Sequence, residues 1–210
     1  MISLKLIDSI ADITQNINSG LAEELNKRIT SSSGKIISRC RPIVHEWIMS
    51  SPEVQSLSSS DPNSLAGLLG IPVIEQASIK QTIAKAVAMS TEVNVRKFNK
   101  SLNDGGITVN FQPDSFVNLL GLPEGRVIDT GLNLHWMRWL LELGDTTIVT
   151  QYSYDPSTGR GRSGHGTMSI GSGFRIPPQF SGTSKNNFIT RALSGSKQVA
   201  QIEKILKEIL

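Results

Sequence analysis

The sequence predicts an α+β fold, and three patterns predict it: apolar residues at helical spacing near the N-terminus, period-two alternation in the middle, and a closing amphipathic helix. Leu6, Ile10, Ile13, Ile17, Leu21 and Leu25 recur at three- and four-residue steps, and Ile29 extends the row. That spacing draws one apolar stripe along a long helix, with Asp8, Asp12, Glu24 and Lys27 mostly off it. Ser31, Ser32, Ser33 and Gly34 predict a break, because serine hydroxyls compete for backbone hydrogen bonds and glycine is a natural stop. A second helical pattern uses Ile36, Ile37, Cys40, Val44, Trp47 and Ile48, and Pro42 within it predicts a kink or a later start. Ser51 with Pro52, and Asp61 with Pro62, read as N-caps followed by proline in the first helical turn. The latter leads through Leu65, Leu68 and Leu69 to Gly70, and Ile79, Ile83, Ala86 and Val87 mark one more helix.

The period then changes. Val93–Arg96, Ile107–Phe111 and Thr147–Tyr152 alternate apolar with polar residues as half-buried strands do, and Asn103 to Gly106 reads as the turn of a hairpin. Leu134 to Leu143, with Trp136 and Trp139, reads as a buried helix closed by Gly144. Thr167–Ile170 and Phe174–Ile176 suit short strands, and Val199, Ile202, Ile205, Leu206, Ile209 and Leu210 form the final amphipathic helix. The expected organisation is a helical N-terminal arm over residues 1–60 and an α+β body over 61–210. That body holds a small antiparallel β-sheet packed with the Trp-rich helix, a basic Gly-rich hairpin at 156–175 and a C-terminal helix at 196–210.

Charge is divided along the chain. Between residues 156 and 202 lie Arg160, Arg162, Arg175, Lys185, Arg191 and Lys197, with His165, and no Asp or Glu. Between 104 and 155 lie Asp104, Asp114, Glu124, Asp129, Glu142, Asp145 and Asp155 against only Arg126 and Arg138. A chain divided in this way can attract a copy of itself head to tail, and such heterologous contacts close into rings when the rotation per copy allows. The candidate contact residues are Arg160, Arg162, His165 and Arg175 on the hairpin, with Asp129, Glu142, Asp145 and Asp155 as the complementary acidic face. The opposing reading is that sequence neighbours need not share a patch and that surface charge often serves solubility.

Composition narrows the rest. The 210 residues bury a real core, and the net charge of +3 is too small to demand nucleic acid. One cysteine, Cys40, excludes an internal disulfide and a Cys-rich zinc site. No apolar run approaches the roughly 20 residues that span a bilayer, and the opening residues lack a secretory pattern, so a soluble, intracellularly made protein without a membrane partner is expected. Gly159, Gly161 and Gly164 match a dinucleotide fingerprint by letters, but more glycines follow where a helix N-terminus would be needed to hold pyrophosphate. Ser194 and Lys197 spell S-x-x-K without its companion motifs, and Ser163 lacks the flanking glycine of a nucleophile elbow. His45, His135 and His165 show no metal-ligand spacing, and Cys40 and His45 lie five residues apart on one helix, poor placement for a dyad. No catalytic residue, cofactor or metal ligand is therefore expected. The arginines with Tyr152, Tyr154 and Phe174 also suit phosphate and base contacts, which keeps a DNA-facing role open beside a protein rim.

Three segments then carry a resemblance: Leu134 to Asp145, Gly161 to Met168, and Phe174 to Leu193. Together they resemble virion proteins of tailed bacteriophages, in particular small neck or tail-completion proteins of the head–tail junction. The matching positions are Glu142, Gly144 and Asp145 in a turn after an aromatic helix, Arg162, Ser163 and Gly164 in a basic hairpin, and Asn187 to Leu193 before a final helix. The likeness covers about residues 130–210; here the hairpin follows the Gly-Asp turn, whereas such families often place it before. The resemblance implies a structural virion protein: a homo-oligomeric ring of six or twelve copies at the neck or proximal tail. Its partners would be itself, adjoining portal/adaptor or tail-terminator proteins, and packaged DNA in the lumen. The alternative is a basic nucleic-acid-binding accessory protein of phage assembly.

Overall fold

The computed structural model describes residues 8–129 and 132–210, with the side chains of 128, 129 and 132 outside the description. It is a mixed helix-and-strand structure built on one long helix, α1 (Ile10–Met49). Ser9 starts it with a capping box: its hydroxyl accepts from the Asp12 amide at 3.2 Å while the Asp12 carboxylate accepts from the Ser9 amide at 3.3 Å. The predicted break at Ser31–Gly34 does not occur. Ser31 and Ser33 turn their hydroxyls back onto the carbonyls of Arg28 and Ile29, so they compete with nothing outside the helix. Pro42 does not end it either. Its ring is on the exposed side, while Ile36, Cys40, Val44 and Ile48 are fully buried on either side of it along the chain.

Short elements follow: α2 (Pro52–Ser56), α3 (Leu65–Leu68) and α4 (Val73–Met89), the last packing along α1. The cap of α3 is Ser64, whose hydroxyl accepts from the Gly67 amide, and the Asp61 carboxylate instead caps the preceding turn at Asn63. The first strands, β1 (Glu92–Arg96) and β2 (Gly106–Asn110), form the expected antiparallel hairpin with Val93 opposite Val109. Its loop is clamped to α1, since Asn26 Nδ2 donates to the Phe98 carbonyl at 2.9 Å and the Phe98 amide donates to Asn26 Oδ1 at 2.7 Å. After α5 (Val117–Leu120) come β3 (Val127–Asp129) and β4 (Leu132–Leu134), paired antiparallel, then α6 (Met137–Leu141). The last pair is β5 (Tyr152–Asp155) with β6 (Thr167–Ile170), before α7 (Phe188–Leu193) and α8 (Ser196–Ile209).

Among the described residues the strands thus make three separate two-stranded ribbons rather than one sheet. The strand expected at 147–152 is displaced: Val149 makes a lone bridge to Phe174, and the regular pairing begins at Tyr152. The Trp-rich helix is shorter than its apolar run, because Leu134 is in a strand and Leu143 bridges to Thr183. The core explains both. Trp136, Leu140, Leu141 and Phe188 are closed to water beside Ile48, Leu57 and Ile83, so the apolar run is buried as strand end, single helical turn and bridge in succession. Gly182 is wedged into this seam, where a Cβ would collide with the Leu140 carbonyl oxygen. A second cluster joins Ile36 and Cys40 of α1 to Ile205 of α8, with Val93, Ile107 and Val109 of the first ribbon against it.

Candidate functional site: the basic ribbon and its cleft

The ribbon β5–β6 and the loop joining its strands carry most of the basic residues singled out in the sequence. Asp155 opens the loop by accepting from the Ser157 amide at 2.9 Å and from the Ser157 hydroxyl at 2.6 Å. Those two bonds, hydroxyl first, hold the Asp155 carboxyl below its ordinary pKa. The loop then folds onto itself. The Gly161 amide donates to the Gly166 carbonyl at 2.6 Å, and Ser163, fully buried, donates its hydroxyl to the His165 carbonyl at 3.2 Å. Gly166 must be glycine: its φ is +48°, and a Cβ would lie 2.5 Å from the Tyr154 ring.

Tyr154 anchors the ribbon to the body. Its hydroxyl donates to the Pro62 carbonyl at 2.7 Å, beside Gly67 of α3. Burial, then the charges of Asp155 and Asp61, raise its pKa. Beneath the ribbon lies a mostly apolar cleft of about 210 Å³, formed by Leu68, Leu69, Val149, Tyr154, Met168 and Phe174. Arg162 and His165 stand at its edge. A second, more polar cleft of about 260 Å³ abuts it, with Glu75, Glu124 and Arg126 on its walls, and Arg162 borders both. Near Arg126, His135 packs against Gly125, and its pKa is lowered by burial first and by Arg126 and Arg138 after it.

The four basic candidates divide. Arg162 and His165 meet at the cleft, Arg160 is exposed on the loop, and Arg175 is exposed between buried Phe174 and Ile176. None of the ion pairs among the described residues engages Arg160, Arg162 or Arg175. The acidic candidates do not gather on one element. Glu142 pairs with Arg138 one helical turn away at 3.5 Å, Asp145 is exposed in the turn after α6, and Asp155 belongs to the basic ribbon itself. Asp129 ends β3, and its side chain lies outside the described residues.

Two features of the site were not legible in the sequence. Tyr152 and Ile170 are cross-strand partners, 46% and 90% exposed, and Met168 on the same face is 42% exposed. Alternation marks these residues as one face of a strand but cannot say that the face is bare. The cleft is the other, since α3 and the ribbon that close it are more than eighty residues apart in the chain. Among the described residues no cluster of His, Cys, Asp and Glu could hold a metal ion, and no helix is long and apolar enough to cross a membrane. No family model matches the chain, and comparison with curated proteins and with solved structures returns no similar chain.

Proposed function

We propose that the chain is a structural protein of a tailed-phage virion, one subunit of a homo-oligomeric ring at the neck or head–tail junction, serving tail completion or connection. The observation that carries the reading is the ribbon with the segment after it: three exposed arginines that pair with no carboxylate among the described residues, together with exposed Tyr152, Met168 and Ile170. A cationic, partly apolar projection of this kind suits a contact surface, because apolar area supplies affinity while unpaired charge selects the partner and its orientation. The resemblance of residues 130–210 to neck and tail-completion proteins supplies the setting. The ribbon would then reach a neighbouring subunit, an adjoining portal/adaptor or tail-terminator ring, or the DNA in the lumen, and the chain would act through assembly rather than catalysis.

Peptide mass spectrometry of purified virions tests this reading. Copies in a fixed ratio to the portal protein, fitting six or twelve per particle, are expected. Absence from intact particles would overturn it and favour a DNA-binding assembly factor. Within the reading, Arg160→Glu combined with Arg162→Glu leaves heads and tails unjoined, scored by electron microscopy of lysates.

A further inference from the structure

Among the described residues, two exposed apolar surfaces adjoin segments of opposite charge. The first is the N-terminal part of α1. Ile10, Ile17, Leu21 and Leu25 line one side of the helix and are 79, 56, 49 and 37% exposed. The clamp at Asn26 and the burial of Ala22 place the first ribbon's loop on a different side of the helix from this stripe. From residue 8 to 25 the segment carries Asp8, Asp12, Glu23 and Glu24 and no Lys or Arg. The second surface is the exposed end of the β5–β6 face that carries Tyr154, where Tyr152 and Ile170 lead past Met168 into the apolar cleft. The adjoining segment 156–175 carries Arg160, Arg162 and Arg175 and no Asp or Glu.

We propose that the N-terminal stripe of α1 in one copy docks on the β5–β6 face of the next. This inference rests on the ring reading above and names the partner of its ribbon. Charge selects the pairing: arm against arm brings like acidic segments together and ribbon against ribbon brings like cations together, whereas arm against ribbon matches opposite signs beside apolar faces. The apolar spacing argues the same way. Ile17, Leu21 and Leu25 step by four residues, the next step reaches Ile29, which is buried within the chain, and a sustained exposed heptad seam for a coiled coil does not develop. Continuity of α1 supplies the geometry. The stripe extends from a helix whose other half is locked into the core, so it points rigidly outward. Donor and acceptor are different surfaces, so the contact is heterologous and propagates from copy to copy until it closes.

Sedimentation velocity on the full chain at low salt is the test, using Ile17→Lys with Leu21→Lys as an arm variant and Ile170→Lys as a ribbon variant. All three sites are exposed, and unchanged thermal melts would verify that both variants fold. Wild type is expected to self-associate, more weakly as salt rises, and each variant alone to associate at least tenfold more weakly. An equimolar mixture of the two variants is expected to form a dimer that stops there, since it joins the only intact arm face to the only intact ribbon face. A ribbon variant that associates like wild type would show arm-to-arm pairing and overturn the proposal, as would a mixture that stays monomeric or a monomeric wild type. None of these outcomes removes the chain from the virion, which the mass-spectrometric ratio decides separately.

Discussion

From Ile36 to Ile48 every fourth residue of α1 is closed to water, while from Ile10 to Leu25 residues at similar helical spacing are exposed. The two halves belong to one unbroken helix and obey the same amphipathic rule. They differ in what comes to meet them. The C-terminal half is covered by α4 and α7 on the main cluster and by α8 and the first ribbon on the second. Among the described residues, the N-terminal half has the loop around Phe98 clamped to one side of it. Periodicity thus specifies a helix and an apolar stripe, but burial also requires a partner surface, and a stripe left without one is available to another molecule.

The body and the ribbon form a parallel contrast. Around Trp136 the chain buries large side chains, and Gly182 lies directly against the Leu140 carbonyl. The ribbon is attached to that body through the Tyr154 hydroxyl on the Pro62 carbonyl, and leaves Ile170 in solvent.

The sharpest break in this contrast is Trp136→Ala. Emptying a fully buried aromatic site costs about 3–5 kcal/mol, read from the shift in urea midpoint at constant slope. A loss below about 1 kcal/mol would mean that the seam collapses freely and is no tighter than the ribbon. Gly182→Ala comes next, at about 1–3 kcal/mol, because the Leu140 backbone must move to admit a methyl group. Tyr154→Phe removes the anchor but keeps the ring, at a cost of about 1 kcal/mol. Its more telling signature is faster amide exchange confined to β5–β6, and uniform acceleration across the protein would contradict an attachment at this point. The smallest effect belongs to Ile17→Ser, within about 0.5 kcal/mol of wild type, since the side chain is already exposed. A larger loss in the monomer would place a cover over the arm inside the same chain and erase the difference between the two halves of α1.

Much of this was readable beforehand. The stripe of α1, the stop at Gly70, the hairpin of β1 and β2, the strand at Thr167–Ile170 and the last helix follow from local periodicity and turn chemistry, and the structure has them. The continuity of α1 was not. Serine is read locally as a helix competitor, yet Ser31 and Ser33 bond inside the helix. Likewise Pro42 reads as a kink or a later helix start, and α1 begins at Ile10 and continues through it. At the site, the clustering of arginines was legible, whereas their separation into Arg162 and His165 at the cleft, Arg160 on the loop and Arg175 on the following segment was not.

The sequence by itself therefore determined the elements, because hydrogen-bond period, capping and glycine conformation act within a few residues of one another. Only the tertiary structure decided which apolar faces are covered, that three ribbons form instead of one sheet, and that α3 and β5–β6 enclose a cleft. Those outcomes depend on surfaces far apart along the chain, whose mutual fit is set by packing volume and the need to satisfy buried polar groups, and no local pattern encodes either.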